Sequence, residues 1–151
     1  MSYANYVKDV LFEKIAELSV EKDQFVKNPG KDFSRDRKLH FSTMIHMIIS
    51  MGTAAVKDEL YKWFDYDTNT ATSSAFIQQR NKIDSKAFEY LFNSFNDCFE
   101  RTKKFKGYYL LAVDGSKITY NANSADKEYY FQNNKNAKGF CQAHLNALYD
   151  L

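Results

Sequence analysis

Apolar residues change their rhythm once along this chain. Up to about Lys106 they recur at three-to-four spacing, the period of one helix face, and from Gly107 onward they fall into short β-rich runs. The first helix is expected from Tyr6 to Val26, with Val7, Val10, Leu11, Ile15 and Leu18 on one face and Asn28-Pro29-Gly30 as the turn that stops it. A second is expected from an N-cap at Ser34 to a stop at Gly52, carrying Leu39, Met44, Ile45, Ile48 and Ile49. Asp36, Arg37 and Lys38 would open that helix, where cations sit poorly against the dipole, which hints at a role other than stability. A third is expected over Thr53–Phe64, capped by Thr53, with Val56, Leu60, Trp63 and Phe64 inward. After the polar stretch DYDTNTATSS, Ser73 or Ser74 would cap a short helix over Ala75–Ile83. Phe76, Ile77 and Ile83 would dock it and leave Gln78, Gln79, Arg80, Asn81 and Lys82 polar. Asp84 would cap a fifth helix with the stripe Ala87, Phe88, Leu91, Phe92, Phe95 and Phe99.

The basic connector RTKKFKG leads into YYLLAV, a run too short and too β-rich for a helix. Asp114-Gly115 follows, the commonest hairpin-turn signal, and then KITY alternates. The Asn-rich stretch from Asn121 to Lys138 reads as a loop or insert, and CQAHLNALYDL as another buried strand.

Composition narrows the class. In 151 residues, 44% are hydrophobic, 26% charged and 17% aromatic, which suits a folded domain with a real core rather than a disordered chain. No apolar run is long enough to span a bilayer, and the N-terminus mixes acids into its apolar residues, so neither a membrane segment nor a signal peptide is expected. Cys98 and Cys141 are far apart and outside any CxxC or Cys/His quartet, which points away from zinc and towards a reduced, cytoplasmic setting. With 21 Lys and Arg against 19 Asp and Glu, the net charge of +2 neither demands nor excludes a nucleic acid, so any basic surface must be local.

Candidate chemistry is sparse. Asp114, at or near the end of an apolar strand, has two compatible readings: a turn residue, which local sequence favours, or a hard-oxygen ligand for Mg²⁺. Asp150 is its only candidate partner, and the plainer reading is that it ends a strand. His40, His46 and His144 do not share ligand spacing, Cys98 lies in an apolar stripe, and no P-loop, dinucleotide fingerprint or Ser/His/Asp arrangement occurs. Two features suit nucleic acid. The third helix, the polar turn and the Gln78-Gln79-Arg80-Asn81-Lys82 segment could form a loose helix-turn-helix-like unit, since Gln, Asn and Arg read base edges. Arg101, Lys103, Lys104 and Lys106 form a cation cluster suited to phosphates. For each, a solvated surface is the plainer alternative.

Five segments in order then resemble the DDE transposases of bacterial insertion sequences, the cut-and-paste group with an RNase H-like core. FSRDRKLHFSTMIHMIISMG is similar to the family's "R-x-RKL-F" helix, and DELYKWF precedes its Ser/Thr-rich turn. SSAFIQQRNKID is similar to "SAF-xQ-R-KI", YYLLAVDGSKI to the "AvDGS" strand, and HLNALYDL to the second core strand. The resemblance implies a mainly α chain: a helical DNA-binding region over residues 1–106, then the first strands of an incomplete RNase H-like α/β core over 107–151. It implies that Asp114 is the first catalytic acid and a Mg²⁺ ligand, and that Phe76, Gln78, Gln79, Arg80 and Lys82 serve DNA binding. Asp150 does not match the second acid, which the family carries in a "DRGY"-like segment absent here, as is the later Glu. The expectations are therefore the N-terminal part of a transposase that binds element-end DNA and is inactive alone, or a transposase-derived DNA-binding regulator without nuclease activity. A small helical domain with one hairpin and no nucleic-acid role is the third. Unpaired core strands should leave an open apolar edge, which predicts a homodimer, contact with full-length transposase, or a loosely held part after about residue 107.

Overall fold

A computed structural model of the protein describes residues 2–99 and 104–150, without the side chain of Asp150. The chain divides into two units, Met1–Glu100 and Arg101–Leu151.

The first unit holds five α-helices: α1 (Tyr3–Val20), α2 (Phe41–Ser50), α3 (Val56–Trp63), α4 (Ser73–Arg80) and α5 (Lys86–Asn96). Helix α1 packs against α2 and α5, and α4 packs against α2 and α3. Ile15 and Leu18 of α1, Met44, Ile45 and Met47 of α2, Leu60 of α3, Phe76 of α4 and Leu91 of α5 meet in one core. Trp63, Ile77 and Phe92, expected inward, are exposed instead. On α4 the reason is angular: Phe76 and Gln79 make the buried stripe, and Ile77 stands about 100° round from Phe76.

Two helix boundaries differ from the periodicity and together build the site described below. Helix α1 ends at Val20, and a single 3₁₀ turn over Lys22–Gln24 follows. Phe25 and Val26 are still buried, because Val26 forms an isolated antiparallel bridge with Ile83. Lys27 N donates to Lys82 O and Asp84 N to Phe25 O, both at 2.9 Å, so the segment after α1 is zipped to the segment after α4. Helix α2 starts at Phe41 rather than near Ser34. Residues 28–40 are held as a loop: Asp32 Oδ2 accepts from both Asn28 N and Asn28 Nδ2 at 3.0 Å, and Gly30 and Phe33 take φ of 72° and 55°. The cap of α4 is Thr72, whose Oγ1 accepts from Ala75 N at 3.1 Å, one residue ahead of the expected serines. Asp84 Oδ1 accepts from Lys86 N at 3.0 Å at the entry to α5.

The second unit is a three-stranded antiparallel sheet of β1 (Leu111–Tyr120), β2 (Tyr130–Phe131) and β3 (Phe140–Asp150) in the order β1-β3-β2. This corrects the expected mainly α class to a mixed one, with helices and sheet in separate stretches. It also corrects the turn reading of Asp114-Gly115. Strand β1 runs straight through it, with Asp114 opposite Ala147 and Gly115 opposite Asn146. A long β3 offers partners on both sides of the Asp-Gly pair, and that ladder outweighs the local turn preference.

The connection from β1 to β3 is the Asn-rich stretch itself. It contains β2 on the far edge of β3, and it is pinned where Cys141 Sγ accepts from Asn123 N at 3.3 Å. The Tyr130 ring occupies the space a Cβ at position 139 would need, so any other residue there would displace that ring. Among the described residues no helix is long and apolar enough to cross a membrane.

Candidate functional site

Zipping the segments after α1 and α4 together creates a cavity of about 310 Å³ in the helical unit. Lys31, Asp32, Phe33, Ser34, Arg35, Arg37 and Leu39 line it from the loop before α2, and Gln79 and Lys82 from the end of α4. Four cations therefore face one carboxylate around a single depression. Lys31, Arg35 and Arg37 are exposed, and none of the four cations is in an ion pair among the described residues. Lys82 is half-buried, with Nζ 5.8 Å from the centre of the Phe33 ring. That ring stands edge-on to Phe41 at 5.5 Å, which fixes the cavity wall to the core.

Two polar groups lie deep in it. Asp32 is 5% exposed, and its Oδ2 is committed to Asn28. Gln79 is 9% exposed, and its amide makes no hydrogen bond among the described residues. Yet no buried side-chain nitrogen or oxygen there lacks a partner. The Gln79 amide must therefore reach accessible surface, and the cavity supplies it.

The expected DNA-contacting residues do not form one face. Gln78 is exposed with Nε2 donating to Ser74 Oγ at 3.2 Å, and Arg80 is exposed at the last position of α4. Gln79, expected on the polar face of its helix, is instead buried and lines the cavity. Consecutive helix positions diverge by about 100°, so Gln78, Gln79 and Arg80 cannot all point at one groove. Lys82 lies past the helix end and joins the cavity. Residues 64–72 separate α3 from α4, with Asp65 and Tyr66 in the left-handed region at φ of 51° and 58°. Arg101 and Lys103 lie outside the described residues, while Lys104 is exposed with Nζ 4.9 Å from the Tyr109 ring centre.

Sequence reasoning singled out Arg37 for its awkward position but missed Lys31, Asp32 and Arg35. The available signal was the density of cations after a Pro-Gly turn, KDFSRDRK, which suits a loop better than a helix start.

In the sheet, Asp114 is exposed. The register pairs it with Ala147 and pairs Asp150 with Leu111, so the two acids are not opposite one another. No group of three His, Cys, Asp or Glu suited to a metal occurs among the described residues. Asp114 thus brings a single carboxylate to its part of the ladder, one of the several oxygen ligands the resemblance assigns to Mg²⁺ in the complete enzyme. No family model, curated protein or solved structure matches the chain.

Proposed function

We propose that this chain is the N-terminal portion of a DDE transposase, with the helical unit as its DNA-binding part and the sheet as the first strands of an RNase H-like core. The observation that carries the reading is the convergence of two separate motifs on one basic depression. Arg35 and Arg37 come from FSRDRKL, Gln79 and Lys82 come from SSAFIQQRNKI, and the fold brings both to the same cavity. Those are two of the segments on which the resemblance rests, and cations gathered without ion-pair partners suit a phosphate backbone.

On this reading Asp114 is the first acid of the triad, and the two further carboxylates and their Mg²⁺ belong to the complete enzyme. The exposed Val113 and Leu148 of the sheet would then be covered by the rest of that core or by a second copy. A second reading, a transposase-derived DNA-binding regulator in the cytoplasm, is favoured by the isolation of Asp114 opposite Ala147.

The deciding experiment is a mobility shift with duplex taken from the DNA flanking the coding sequence. Neutralising four phosphates should cost about 100-fold in affinity for a fourfold rise in salt. Absence of a shift at low salt would remove both readings. A supercoiled-plasmid assay with Mg²⁺ separates them from an autonomous nuclease: no nicking is expected, and nicking that Asp114→Asn abolishes would contradict the assignment.

A further inference from the structure

We propose that the cavity between the loop before α2 and the end of α4 is a binding site for a phosphate ester. Lys31, Arg35, Arg37 and Lys82 would neutralise it at the rim, and the Gln79 amide would donate to it from the floor. The nucleic-acid source of that phosphate rests on the function proposed above; the site itself does not.

Charge and satisfaction both point this way. Four cations against one carboxylate leave a surplus of positive charge within one lining. Asp32 weakens that field but is already bound by the Asn28 backbone and side chain. The end of α4 would ordinarily repel an anion through its free carbonyls. Here three of the last four are occupied, since Ile77 O accepts from Asn81 N, Gln79 O from Lys82 N and Arg80 O from Ile83 N, and just beyond them Lys82 O accepts from Lys27 N. Beside the Gln78 carbonyl, that end carries the Lys82 ammonium and the Gln79 amide, whose N–H groups are not engaged within the described residues.

Gln79 carries the argument furthest. A glutamine nine-tenths buried normally pays its desolvation with an internal partner. This one shares the buried stripe of α4 with Phe76, makes no internal side-chain hydrogen bond among the described residues, and lines a cavity whose other members include four cations. Leu or Met would fill the same helix position at lower cost in desolvation. An amide there is useful if something in the cavity accepts its hydrogen bond, and the rim charge selects an anion with several acceptor oxygens.

The test uses the full chain labelled for NMR, titrated separately with inorganic phosphate, AMP and a 20-base-pair duplex. The Gln79 side-chain NH₂ signals should shift and saturate with each of them. Gln79→Leu, which keeps size and helix preference, should weaken phosphate and duplex binding about tenfold or more. The double change Arg35→Ala with Arg37→Ala lies in an exposed loop, and it should lower the slope of log affinity against log salt by about two.

Signals that move with phosphate and AMP but not with duplex would keep the anion site and overturn nucleic acid as its source. Duplex binding that leaves Gln79 unmoved and survives both variants would overturn the site while leaving the proposed function intact. Signals unmoved by every probe would overturn the site outright.

Discussion

Leucine behaves differently in the two units. Leu18, Leu60 and Leu91 are at most 4% exposed in the helical unit, whereas Leu111, Leu145 and Leu148 of the sheet are 45%, 52% and 58% exposed. Of the buried hydrophobic residues among those described, Cys141 alone belongs to the sheet. The helical unit pairs its backbone within its helices, and the sheet pairs β1 with β3 from end to end, while β2 covers β3 only at Phe140 and Cys141. They differ in layers. A helix can bury its stripe against other helices of the same unit, but a single sheet needs a second layer to cover a face. The lesson is that hydrogen bonding gives the sheet its register, while the stability of a domain comes from burial that the sheet has not acquired.

The sharpest way to break this contrast is to truncate one large side chain in each unit. Phe76 is fully buried, so Phe76→Ala should cost the helical unit about 3–5 kcal/mol. Leu148→Ala should change stability by no more than about 0.5 kcal/mol. Denaturant titration followed by helical circular dichroism, with tyrosine absorbance as a second probe, would measure both. A Leu148→Ala cost as large as that of Phe76→Ala would mean that the sheet face is covered in solution, as a second copy of the chain would cover it.

The same contrast governs what the sequence made legible. Helix existence was readable from the three-to-four spacing of Ile15, Leu18, Met44, Ile45 and Leu91, because those residues pack within their own unit. Boundaries were not, because tertiary contacts set them. The Val26–Ile83 bridge ends the periodicity of α1 early, and the Asn28–Asp32 pairing delays the start of α2. Asp114-Gly115 misled for the opposite reason: its turn preference is local, and the register opposite Ala147 and Asn146 is not. Of the site, Lys82 and Gln79 were legible as polar members of one segment, but their meeting with Lys31, Arg35 and Arg37 is a product of the zipped loops.

A smaller effect tests whether local signals in the helical unit count at all beside packing. Thr72 Oγ1 caps α4, so Thr72→Ala should cost about 1 kcal/mol, while Thr72→Ser should be nearly neutral. Equilibrium denaturation would separate the two. Equal losses would assign the effect to the lost methyl group rather than to the cap.

The smallest effect expected is one of pH, and it too belongs to the helical unit. His46 is partly buried on α2, edge-on to the Phe12 ring at 4.7 Å, and burial pulls its pKa below the ordinary 6.5. The unfolded chain therefore takes up a proton at this residue more readily than the folded one. Its contribution to stability is fully present above about pH 6.5 and is lost as pH falls through the folded value. Melting the protein at pH 7.5 and again at pH 5 should show a lower midpoint in acid. Carboxylates add to the same trend, so the informative quantity is the difference from His46→Gln, which should lose less of its midpoint on acidification. An identical acid loss in the two proteins, or an NMR titration placing His46 at or above 6.5, would remove the assignment.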